Sequence, residues 1–330
     1  MGCNATDVTI HLTNCYNIGT IKGGESGGIS GWVNRGAQLR NCYNMGAVDG
    51  TDYFVRMSNG SGESLINCFD TKSTWNALSS TVGGANAFDV GTVFATCFDD
   101  AQGGSVWRMD FDATPAHPVL YEPATLVLKE DFPNRFVAGE TADVKVYRAM
   151  TGGDTDWNTL CLPFNADASL FSAIAELTGV SGSTLQFTSG VTTIEAGKAY
   201  LVKPVADITT IEATGVELKA AEPTTFSGTQ FVGIYAPTVL NEGDIYVTAG
   251  NHLKAAPANA SALKGFRGYF TTTSGARFDK FVVDDDTTTG IIGIDGTVIE
   301  NGKIYNLNGQ KVQNAQKGLY IVNGKKVVVK

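Results

Sequence analysis

Short runs in which apolar and polar residues alternate recur along the first third of the chain, each closed by Asn or Gly. Four of them carry one tetrapeptide: Asn14-Cys15-Tyr16-Asn17, Asn41-Cys42-Tyr43-Asn44, Asn67-Cys68-Phe69-Asp70 and Thr96-Cys97-Phe98-Asp99. The cysteines fall 27, 26 and 29 residues apart, a spacing that predicts stacked repeats rather than one closed domain. Each copy holds strands too short to bury an apolar face alone, so stacking must build the core. The pattern predicts right-handed β-solenoid-like repeats over residues 1–118. Cys15, Cys42, Cys68 and Cys97 form an inward column of small apolar residues, and the asparagines a turn ladder.

Beyond residue 118 the period is lost and apolar runs lengthen. Eight or more of them, including Thr141 to Ala149, Thr159 to Phe164, Ala199 to Pro204 and Gly228 to Tyr235, are separated by Gly, Pro and Asn turns. That spacing predicts an antiparallel β-sandwich, jelly-roll-like, over residues 119–284. Leu170, Phe171, Ile174 and Leu177 stand at helical spacing, predicting one helix over 167–177 capped by Asp167 or Ser169. A linker follows at 285–290. In residues 291–330 the dipeptides Asn301-Gly302, Asn308-Gly309 and Asn323-Gly324 predict a small β-hairpin unit, because type I′ turns need positive φ at both central residues. The fold class read from the pattern is all-β.

Composition sharpens this picture. Charged residues are 17% of the 330-residue chain and Gly numbers 39, a profile of many tight turns. A net charge of −9 without a basic cluster disfavours nucleic acid and anionic membrane surfaces, which need concentrated Lys and Arg. The tail departs from the rest, with six lysines against Asp295 and Glu300, which marks a separate module. No apolar stretch of about 18 residues predicts membrane insertion. The first residues lack a leader pattern while the repeat begins almost at once, so the chain is expected to be a mature or excised part of a longer polypeptide. Met1 to Thr6 matches the myristoylation pattern, a short match that chance readily produces.

Candidate chemistry is sparse. Gly24-Glu25-Ser26-Gly27-Gly28 fits a nucleophile elbow, but Ser26 lacks the strand-turn-helix context, and His11 and His117 belong to the same array. His252 stands alone in a polar loop, and Cys161 lies between two leucines in an apolar strand. Asp154 with Asp156, Asp110 with Asp112, and Asp284-Asp285-Asp286 offer oxygen ligands to Ca²⁺, yet none continues into a calcium-loop pattern. No catalytic set, metal site or cofactor is therefore expected, Ca²⁺ being the one ion these pairs allow. The candidate binding residues are Trp157, Tyr235 and Tyr246, whose faces could stack on sugars.

Three sets of residues carry resemblances. Asn14 to Gly19, Gly27-Gly28-Ile29-Ser30-Gly31-Trp32 and the Asn41 copy resemble the GLUG-type repeats of surface proteins of anaerobic bacteria. Trp157 to Phe164, Ala199 to Pro204 and Gly265 to Phe270 resemble, in that order, a β-sandwich module that follows such arrays. Ile304 to Val312 followed by Gly318 to Lys330 is similar to the C-terminal sorting domain of type IX secretion substrates, although shorter. These resemblances imply an extracellular or cell-surface location and a non-enzymatic adhesion protein for glycan or matrix protein. The alternative is the C-terminal accessory region of a larger secreted hydrolase, a peptidase or glycosidase with its catalytic domain upstream.

Overall fold

The computed structural model describes residues 10–23, 26–33, 37–48, 54–57, 64–71, 86–102, 106–153, 156–272 and 277–284, with the tail segments 292–294, 304–306, 311–312, 318–322 and 325–329. Cys3, Asp154, Asp285, Asp286, the 285–290 linker and the three Asn-Gly dipeptides lie outside these residues. Strands dominate, and the described residues hold one α-helix.

Strands Ile10–Asn17, Ala37–Asn44, Ser64–Asp70 and Asn86–Ala87 form one sheet paired in parallel throughout. Its register aligns Cys15 with Cys42 and Cys68, Tyr16 with Tyr43 and Phe69, and Asn17 with Asn44 and Asp70. A second parallel pair joins Ser30–Val33 to Val55–Met57. Asn14, Asn41 and Asn67 have φ of 56°, 53° and 52°, the left-handed region that Asn tolerates better than most residues. That twist interrupts strand alternation. Leu39 and Cys42, three residues apart, consequently face the same core with Phe54, Val55 and Cys68, while the Tyr43 and Phe69 column faces the other way.

The fourth tetrapeptide departs from the sequence expectation. Cys97 lies on the α-helix Val90–Asp99 rather than on a stacked strand, and it packs with Tyr43, Phe94 and Trp107 on the opposite face of the sheet from Cys42. The residue before it is Thr96, and a β-branched residue cannot take the left-handed φ cheaply. The helix itself was missed because Val90, Gly91, Thr92 and Val93 are weak helix formers. Burial of Gly91, Val93, Phe94 and Cys97 overrides that, and Asp89 caps the first turn by accepting from the Thr92 N–H at 2.8 Å.

The five described thiols are free, with Cys42, Cys68, Cys97 and Cys161 buried and Cys15 half-buried. Burial pushes Cys97 and Cys161 up to about 12, and a hydrogen bond with Cys42, then burial, raises Cys15. Since the thiolate is the reactive form, a thiol reagent is expected to modify Cys15 slowly and the other four only after denaturation without reductant. A disulfide between two column positions in the native protein, seen by mass spectrometry, would contradict the aligned column.

The described residues of 119–284 build three larger sheets and a two-stranded one, Ala166–Asp167 with Thr193–Ile194. A three-stranded sheet holds Leu126–Lys129, Thr141–Met150 and Ile208–Glu217. A five-stranded sheet runs Asn158–Cys161, Ala199–Pro204, Phe171–Ser181, Thr184–Ser189, Lys280–Val283, and another runs Thr224–Phe226, Thr229–Ile234, Arg267–Thr272, Ile245–Thr248, His252–Ala255. Tyr200 and Val202 join the core shared with the three-stranded sheet, whereas Ala199 and Leu201 join the core shared with Phe231 and Phe270. The middle sheet is therefore covered on both faces, which is why Ala199-Tyr200-Leu201-Val202 reads as an unbroken apolar run.

The helix expected over 167–177 is instead a single 3₁₀ turn, Ala168–Leu170, capped by Asp167, followed by the strand Phe171–Ser181. Register shifts between Phe171 and Ala173 and between Leu177 and Gly179 break the period of two. Phe171 and Ile174 thus reach one core although they are three residues apart. A bulged strand imitates helical spacing in this way.

In the tail, Gly318–Val322 pairs antiparallel with Lys325–Val329, within a sheet that also holds Ile292–Ile294, Ile304–Tyr305 and Lys311–Val312.

Candidate functional site

The strand Thr141–Met150 alternates as an amphipathic strand should, with Val144, Val146, Arg148 and Met150 on its buried face. Arg148 is the exception among apolar neighbours, 4% exposed, and a guanidinium is kept there only with partners. Glu130, just past the strand Leu126–Lys129, supplies one. Its carboxylate lies 3.4 Å from Arg148 Nη1, 2.9 Å from Arg267 Nη1 and 3.2 Å from Lys264 Nζ. Three cations thus share one carboxylate. Arg148 also donates to the Ala149 and Thr159 carbonyls, while its buried Nε has no hydrogen-bond partner. Burial, then the charge of Arg267, pushes the Arg148 guanidinium down to about 10, against the opposing pull of Glu130.

Arg148 and Arg267 border a cleft where the three larger sheets meet, about 220 Å³ in volume, lined also by Asp156, Trp157, Thr159 and Tyr246. The turn Ala249–Asn251 positions its rim. Gly250 and Asn251 adopt φ of 73° and 60°. The Gly250 N–H donates to Asp156 Oδ2, and Asn251 Oδ1 accepts from the Trp157 N–H at 2.7 Å. Lys203 Nζ stands 4.7 Å from the centre of the Trp157 ring, a cation–π contact that fixes the indole.

Of the three aromatic candidates, the structure brings Trp157 and Tyr246 together and sets Tyr235 apart. The Tyr235 ring packs on Phe136 and Phe266, its hydroxyl donates to the Leu162 and Lys219 carbonyls, and burial raises its pKa. It is a brace between strands rather than a stacking platform. Arg148 and Arg267 escaped the sequence reading. The available signal was a charged residue at an inward position of an alternating strand.

The other candidates have local duties. The Ser26 hydroxyl donates to the Gly23 carbonyl at 2.6 Å, whereas His117 Nδ1 lies 2.7 Å from the Pro115 carbonyl and its ring packs on Tyr16. His11 is exposed on the first strand. His252 opens a strand paired with Thr248. Asp110 accepts from Tyr121 and from the backbone of Asp112 and Ala113, which lower its pKa, the tyrosine most. Asp284 accepts from Ser189. Among the described residues no group of three His, Cys, Asp or Glu is placed to hold a metal ion. A larger cavity of about 580 Å³ carries Glu242, Asp244 and Asp279 around Arg277. Asp244 there accepts from the Asn241 N–H at 2.8 Å, and no Trp or Tyr lines it.

Comparison with protein-family models, with curated proteins and with solved structures finds no match to this chain. No helix among the described residues is long and apolar enough to cross a membrane.

Proposed function

We propose that the chain is a non-enzymatic, extracellular or cell-surface binding protein that captures glycan in the cleft of Trp157 and Tyr246. The single observation that carries this reading is the placement of two half-buried aromatic side chains and several hydrogen-bonding groups around one small cavity. Sugars are bound in this way, with an apolar ring face on an aromatic and hydroxyls on polar neighbours. The GLUG-type, right-handed solenoid-like reading of residues 1–118 is supported by the parallel pairing of Cys15, Cys42 and Cys68, which leaves that part as a stalk or spacer. A jelly-roll-like module would present the cleft, and the lysine-rich tail would serve as the hairpin unit of a sorting signal.

The test is a glycan array run beside a panel of matrix proteins, with the whole chain as probe. Retention of a defined set of oligosaccharides is expected. A blank array at high protein concentration contradicts the reading, and retention by matrix protein alone moves the binding surface away from this cleft.

A further inference from the structure

Resting on the glycan reading, we propose that the cleft selects an acidic sugar, with Arg267 and Arg148 receiving the carboxylate of a uronic or sialic acid residue while Trp157 and Tyr246 take its ring. Charge supports this first. Arg148 and Arg267 line the cavity, with Lys264 beside them on Glu130 and Lys203 on the Trp157 ring, and among the described lining residues Asp156 is the one carboxylate. This local excess of positive charge lies in a chain whose net charge is −9, so it is a property of the site and not of the surface at large.

Donor geometry supports it second. A guanidinium is a planar fork that matches a carboxylate bidentately, and Glu130 must serve three cations at once. Arg148 is buried with its Nε unpartnered, and it borders the cavity beside Arg267. A bound carboxylate would supply acceptors that this pair lacks and lower the cost of keeping two guanidinium groups adjacent.

Size supports it third. At about 220 Å³ the cavity is below the roughly 300–1,000 Å³ of pockets that enclose drug-sized ligands, so it holds one residue of a longer saccharide. Asp156 is tied to Gly250, which places an acceptor for sugar hydroxyls at the rim.

The experiment is a calorimetric titration of the full chain with tri-galacturonate and with sialyl-lactose, each beside its methyl ester, which keeps every ring and removes the charge. The free acid of at least one is expected to bind about tenfold more tightly than its ester, a preference that weakens as salt is raised. Arg267→Met is expected to abolish that preference, and Trp157→Ala to weaken both forms. If Arg267→Met does not fold, Arg267→Lys keeps the charge beside Glu130 and should still lose several-fold, because the fork is gone. Equal affinity for acid and ester, or an acid preference untouched by either Arg267 variant, overturns the acidic-sugar assignment and leaves the glycan reading standing. Absence of binding by all four compounds overturns the assignment, and a blank glycan array alongside it overturns both.

Discussion

Asp100→Ala is expected to lower the free energy of unfolding by about 2–4 kcal/mol. Asp100 sits where the helix Val90–Asp99 ends, its side chain 9% exposed, and it gathers the repeat sheet by charge-assisted hydrogen bonds. Arg40 donates to both carboxylate oxygens, from Nε at 2.9 Å and Nη2 at 2.6 Å. The Asn41 and Asn67 amides donate to the same carboxylate at 3.1 and 3.3 Å. Each amide also donates along the column, from Asn41 to Asn14 and from Asn67 to Asn41. Removing the carboxylate strips one acceptor from the buried Asn41 amide and one from the half-buried Asn67 amide, while Arg40, about a third exposed, recovers water and limits the loss. Asp100→Asn keeps shape without charge and should fall between the variant and wild type. Urea denaturation followed by circular dichroism measures the series. An unchanged midpoint for Asp100→Ala would show that the helix does not clamp the asparagine column.

Gly233→Ala is the second large effect, expected to cost about 1–3 kcal/mol. Gly233 pairs with Gly268 in the third sheet, and a methyl at Gly233 would lie 2.2 Å from Cys161 Sγ and 2.7 Å from Cys161 Cβ. Cys161 is buried in a core shared by two sheets with Gly233 buried against it, and the contact with its Cβ cannot be relieved without moving a backbone. Cys161→Ala removes the sulfur and part of the clash. The double variant should therefore be less destabilised than the sum of the singles, by about 1 kcal/mol. Additivity between the two would mean that the sheets separate freely at this point.

The repeat was legible because its chemistry is local. Asn before Cys reports a left-handed backbone position, and the three copies that have it align strand on strand, whereas the Thr96 copy turned out helical. The strand Phe171–Ser181 was misread for an equally local reason, since its bulges replace alternation by a spacing of three. A sheet covered on both faces could have been anticipated from the unbroken run at Ala199. The cleft was only half legible. Trp157 and Tyr246 stood out as aromatics, but their convergence depends on strands that are far apart in the chain. Arg148 shares the buried face of its strand with Val144, Val146 and Met150, a placement that its charge alone does not signal.

The most direct measurement of the central claim is calorimetric titration of the strongest array ligand into wild type, Trp157→Ala, Tyr246→Ala and Tyr235→Phe. Truncating an aromatic that anchors a ligand typically costs about 2 kcal/mol or more, roughly thirtyfold in Kd. Such a loss is expected for Trp157→Ala and Tyr246→Ala, and none for Tyr235→Phe, whose hydroxyl bonds to the Leu162 and Lys219 carbonyls and to Cys161 within the fold. Wild-type affinity in both alanine variants, each shown to be folded, would place the sugar elsewhere and contradict the assignment of this cleft.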